Sequence, residues 1–146
     1  MNNSRRHLKE ASFLVLIFTA LSFIRMAIQC FVVGFEVDPA EVGASHELVV
    51  VMMVVMFVIS MVLLLPQLYV GVRGMKIAKN PTSTKGHIVW AVILLIFSAF
   101  GIISTVSSIA EQVNILDNVI TLFDHALDVI VYCMYIKYAN RVLKGV

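Results

Sequence analysis

The sequence predicts an all-α integral membrane protein, an antiparallel bundle of four transmembrane helices with both termini in the cytoplasm. Three observations predict it. The chain of 146 residues is 60% hydrophobic and only 14% charged, with a mean hydropathy of +0.95. That is too few charges to cover a water-facing surface. The apolar residues fall into four runs, each long enough to cross a bilayer. The charges are sorted by sign between alternate connections.

The first run, Ala11–Gly34, follows Arg5, Arg6 and Lys9. It is too long for the apolar core of a signal peptide, is interrupted by Arg25, and reads as a retained helix. The second, Leu48–Val72, is polar only toward its end, at Ser60 and Gln67, and Pro66 should kink it. The third is Ile88–Ala110 and the fourth Val119–Ala139. Each reaches the ~20 residues that span a hydrocarbon core of about 30 Å. A single segment in lipid must satisfy its backbone internally, so each is a helix despite many β-branched residues. Leu16-Ile17-Phe18-Thr19-Ala20 and Leu95-Ile96-Phe97-Ser98-Ala99 match at similar depths on helices running the same way, a hint of duplicated hairpins. The expected organisation is one membrane domain, residues 1–146.

Orientation follows from charge. Every Lys and Arg except Arg25 lies before the first run, between the second and third, or at the end of the fourth. The other two connections carry Glu36, Asp38, Glu41, Glu47, Glu111 and Asp117 and no base. The positive-inside rule places both termini and the middle loop in the cytoplasm. Trp90, Tyr69 and Tyr138 mark the same boundary as interfacial aromatics. Short connections make neighbouring helices antiparallel, hence an up-down bundle.

The stretch Gly71-Val72-Arg73-Gly74-Met75-Lys76-Ile77-Ala78-Lys79-Asn80-Pro81, followed by His87-Ile88-Val89-Trp90, resembles the middle loop of uncharacterised small four-helix bacterial membrane proteins common in Gram-positive organisms. In those, a helix ends in a Gly-rich turn, a Lys/Asn-Pro loop follows, and the next apolar helix opens near a Trp. The resemblance covers helix 2 to helix 3. It implies a four-helix fold in a bacterial cytoplasmic membrane and brings no activity or catalytic residue. Where those proteins favour Pro in the outer half of the last helix, this chain has Asp124 and Asp128.

The informative residues are polar groups at membrane depth, which are costly there and usually face the bundle interior. Helix 1 carries Arg25 and Gln29; helix 4 carries Asp124, His125 and Asp128. At ~1.5 Å per residue, Arg25 and Asp128 both lie roughly 13 Å below the outer boundary, and Gln29, Asp124 and His125 about 7–9 Å below it. The matching depths predict an Arg25–Asp128 ion pair, with Gln29 near Asp124 or His125. On helix 3, Ser98, Gly101, Thr105, Ser108 and Gln112 form a small and polar stripe that permits close helix approach. The candidate cluster is therefore Arg25, Gln29, Thr105, Ser108, Asp124, His125 and Asp128. It admits two readings: an ion pair that fixes register and orientation, or a polar site for an ion, proton or ligand. The first is the plainer reading; a second carboxylate and a histidine, more than Arg25 alone can neutralise, add weight to the second.

Other chemistry is not legible. No Ser-His-Asp or Cys-His arrangement, HxxxH or CxxC spacing or phosphate loop occurs, so the chain reads as no enzyme and implies no cofactor or metal. His7, His46 and His87 read as isolated interfacial residues. Gly71 and Gly74 read as a turn or a close-packing site, and Cys30 and Cys133 as free thiols near opposite faces. Basic residues without interleaved aromatics exclude a nucleic-acid surface; they fit anionic lipid headgroups instead. The expected partners are the bilayer and a second membrane protein or further copies of the chain. Two functions follow: an interaction or accessory subunit of a membrane complex, or a small oligomeric transporter or channel using the Asp/His/Arg cluster.

Overall fold

The computed structural model describes residues 3–28, 30–31, 45–81, 84–111 and 115–145. The described residues form four helices: α1 (Asn3–Ile28), α2 (His46–Lys79), α3 (Gly86–Ala110) and α4 (Ile115–Lys144). All four are long and apolar enough to cross a membrane, and α2 is the most apolar. The described fold is accordingly all-helical, with four helices that suit a membrane by length and composition.

The helices outrun the apolar runs that predict them. α1 begins eight residues before Ala11, α2 continues seven past Val72, and α4 is longer at both ends. Hydropathy finds the part of a helix that suits lipid. The helix itself goes on until its backbone meets a breaker. The basic start of α1 is held by an Arg6–Glu10 pair at 3.0 Å, one turn apart, with His7 Nδ1 also 3.0 Å from Glu10. α2 opens where the Ser45 hydroxyl accepts the Leu48 N–H. It closes at Asn80-Pro81, because the residue before a proline is pushed out of helical conformation. α4 stops at Gly145, whose φ of +75° is the left-handed conformation that ends helices. The predicted loop around Pro39 and Gly43, and Gln112, lie outside the described residues.

Two compact units are present. One comprises residues 1–16 and 66–146; the other, residues 17–65. The boundary within α2 falls at Leu65/Pro66, where the missing proline N–H interrupts the hydrogen-bond ladder.

The first unit holds nearly all of the buried core. Leu8, Ala11, Ser12 and Val15 come from α1, Val70, Ile77 and Ala78 from α2, Ala91 and Leu94 from α3, and Val131, Tyr132, Tyr135, Ala139 and Val142 from α4. Within each helix these fall at three- and four-residue steps, one stripe turned inward. Tyr135 is the largest fully buried side chain. Its Oη donates to the Val70 carbonyl at 3.1 Å. Its ring meets His87 edge-on at 6.0 Å. Gly74 lies between Tyr135 and Ser12, with no room for a β-carbon on either side. Gly71 sits over Leu16, whose Cδ2 would lie 2.6 Å from an added β-carbon. These two glycines lie inside α2 and serve close packing rather than a turn.

In the second unit, the α2 stretch from Leu48 to Leu65 presents Val51, Met52, Val55, Met56, Val58, Ile59, Val62 and Leu63 on one broad outward face, each about half exposed or more, while Met53, Phe57, Ser60 and Leu64 form a half-buried stripe on the opposite face, where Phe57 meets Phe23 of α1. Thr19, from the segment of α1 that matches α3, is buried to the same degree as its counterpart Ser98 in the first unit.

Candidate functional site

The polar residues expected at membrane depth divide between the two units. Arg25 belongs to the second and is half-buried. Gln29 lies outside the described residues. Thr105, Ser108, Asp124, His125 and Asp128 all belong to the first unit, on α3 and α4, which pack against one another.

The packing of α3 on α4 rests on small residues. Ser98 and Thr105, seven apart, are buried, and Gly101 lies midway between them. The His125 ring fills the space a side chain at 101 would need: a β-carbon there would be 2.6 Å from Nε2 and 2.7 Å from Cε1. The notch at Gly101 thus seats His125 against the α3 backbone. One turn further along α4 lies Asp128, half-buried, then Tyr132 at 3% exposure. Asp124, the residue before His125 and one turn before Asp128, is exposed. The α4 stripe therefore runs from an exposed carboxylate, through a seated imidazole and a half-buried carboxylate, to a buried tyrosine.

The hydroxyls along these helices are largely satisfied by their own backbone, as lipid demands. Ser108 Oγ donates to the Ser104 carbonyl at 3.2 Å, Ser107 to Ile103 at 3.1 Å, and Thr121 to Asp117 at 2.8 Å. Ser108 thus spends its proton within α3. What the α3–α4 face can do chemically comes from His125 and the two carboxylates, which can accept, donate or hold a proton in sequence.

Two histidines depart from their reading as isolated interfacial residues. His87 is 1% exposed. It is the second residue of α3, and the α3–α4 packing carries it inward onto Tyr135. Neither ring nitrogen has a hydrogen-bond partner of good geometry among the described residues; the Thr84 backbone is a nearby polar group that acts on it. His7 stacks on Tyr138 of α4, ring centres 4.9 Å apart. The sequence signal that could have found both is their three- and four-residue spacing to core positions: His87 to Ala91 and Leu94, His7 to Ser4 and Ala11.

Cys30 and Cys133 are free thiols. Among the described residues no three His, Cys, Asp or Glu side chains gather closely enough to hold a metal ion. No family model, curated protein or solved structure matches the chain.

Proposed function

We propose that the chain is a small polytopic membrane protein that serves as an interaction or accessory subunit of a membrane complex. The observation that carries this reading is α2. Of its most apolar stretch only 6% is buried, the lowest share of the four helices, and its one inward stripe is no more than half-buried. Valine, methionine and leucine cover its exposed face, and methionine adapts to irregular partners. Opposite its half-buried stripe of Met53, Phe57, Ser60 and Leu64, such a helix has a broad apolar face to offer another membrane helix. The orientation that suits this reading has both termini and the α2–α3 loop in the cytoplasm.

The test is the native mass of the tagged chain extracted in mild detergent, with identification of whatever co-purifies. A stoichiometric membrane partner supports the reading, and crosslinks from Met52 or Met56 positions to that partner locate the contact on α2. A homogeneous particle of this chain alone overturns it.

A second reading is favoured by the α4 stripe, in which Asp124 and His125 are neighbours and Asp128 follows one turn later. On this reading the chain is a small oligomeric transporter or channel, with these residues passing protons or an ion. Proton flux in liposomes that falls with Asp124→Asn and Asp128→Asn supports it; flux unchanged by both sinks it.

A further inference from the structure

We propose that Lys137, Arg141 and Tyr138 of α4, held by His7 of α1, form a binding site for the phosphate of an anionic phospholipid headgroup. The proposal rests on reading the four helices as membrane-spanning, and reaches beyond a general attraction of basic residues to lipid.

The geometry is specific. Lys137 Nζ lies 5.7 Å from the Tyr138 ring centre and Arg141 Cζ 5.9 Å from it. Both distances are within the ~6 Å of a cation–π contact. The two cations therefore converge on one aromatic ring. His7 stacks on the same ring and ties it to α1. Lys137 and Arg141 are exposed, and Tyr138 is half-buried. Among the described residues neither cation has a carboxylate within ion-pair distance.

That arrangement costs energy unless an anion arrives. Like charges four residues apart on a helix repel. The helix dipole favours cations only within the last turn, and Lys137 is nearly two turns before the end of α4 at Lys144. Two cations and a phenolic hydroxyl gathered around one ring suit a phosphate, which takes several charge-assisted hydrogen bonds at once.

The neighbouring surface selects a lipid over a free anion. Glu10 bonds both His7 and Arg6. Glu10 also lines a cleft of about 330 Å³ with Arg6, Lys9 and Phe13. This cleft lies on the face of α1 opposite the buried Leu8, Ser12 and Val15. Phe13 is 55% exposed there, one turn along from Lys9. Charge at one level and an exposed phenyl at the next match a headgroup and the start of its acyl chains.

The experiment uses the full chain in detergent. Its partition into the membrane fraction after alkaline extraction checks the spanning reading separately from the lipid site. Thermal midpoint and native mass are then followed during titration with phosphatidylglycerol, phosphatidylcholine or inorganic phosphate. Phosphatidylglycerol should bind and raise the midpoint; phosphatidylcholine should not. Neutralising one cation at the membrane surface weakens binding about fivefold, so Lys137→Gln/Arg141→Gln should weaken it about 25-fold. Lys76→Gln/Lys79→Gln, which removes the same charge from exposed positions on α2, should leave most of the affinity. Equal losses from the two double variants would overturn the site in favour of diffuse attraction. Inorganic phosphate stabilising as strongly as phosphatidylglycerol would overturn the lipid as occupant. Tyr138→Leu should lose affinity as well, by releasing both cations; full affinity in that variant would also count against the site.

Discussion

The Tyr135 hydroxyl donates to the Val70 carbonyl across 3.1 Å, in a place where neither group meets solvent. The bond joins α4 to α2, sixty-five residues away along the chain. Val70 O already belongs to the α2 backbone ladder, so the phenol uses its second lone pair. Removing the hydroxyl leaves no orphaned acceptor, whereas removing the ring leaves a void among helices. Tyr135→Phe should therefore cost only ~0.5–1.5 kcal/mol, and Tyr135→Ala ~3–5 kcal/mol. Thermal unfolding in detergent checks both, and similar losses from the two variants would show that the hydrogen bond rather than the packing dominates.

Gly74 and Gly71 separate close approach from soft contact. A β-carbon at 74 meets the Tyr135 ring on one side and the Ser12 hydroxyl on the other; that hydroxyl is fixed by its own bond to Leu8 O at 2.6 Å. A β-carbon at 71 meets mainly the flexible end of Leu16. Gly74→Ala should thus destabilise by ~1–3 kcal/mol, in the range of overpacked cores, and Gly71→Ala by clearly less. The order of the two midpoints is the measurement, and a reversed order would contradict the packing described.

The four helices were legible because an apolar run of twenty residues has no other stable form in lipid. Their ends were not, because α1 and α2 continue as amphipathic helix past the apolar stretch, and hydropathy does not register Arg6–Glu10 pairing or Ile77 and Ala78 turning inward. The small stripe of α3 was legible from Ser98, Gly101 and Thr105 alone, since spacing defines a face. His87 was not recognised as core. A histidine near a membrane boundary fits the interface as well as the interior, and only the neighbour it meets decides. The cationic cluster at Tyr138 was half legible: the charges were read as lipid-facing, and their gathering on one ring is set within α4, but the His7 contact depends on α1 lying beside α4.

His87 offers a test of the opposite sign. Its two ring nitrogens are buried without well-formed partners among the described residues, and each such group carries a desolvation cost of ~1–3 kcal/mol. His87→Leu keeps a side chain of similar volume against Tyr135 and removes both polar atoms. It should raise the thermal midpoint, one of few substitutions in this core expected to do so. A lowered midpoint would reveal that a buried water bonds the imidazole, and water-exposed exchange at His87 by NMR would then locate it.

The seating of His125 on Gly101 predicts a coupled pair. Gly101→Ala places a methyl group 2.6–2.8 Å from three atoms of the imidazole, so the ring must leave its notch and α3 must part from α4. His125→Ala alone empties the notch and loses the contact. In the double variant the new methyl group partly fills the space the ring vacated. The cost of Gly101→Ala should therefore be smaller in the His125→Ala background than in the native chain, with an interaction energy of ~0.5–3 kcal/mol as for residues in direct contact. Strict additivity of the two thermal shifts would mean that His125 does not occupy the notch. If the α4 stripe also conducts protons, Gly101→Ala should reduce flux as His125→Ala does, since both remove the imidazole from its place between Asp124 and Asp128. A flux lowered by His125→Ala but untouched by Gly101→Ala would separate the chemistry of the ring from its seat on α3.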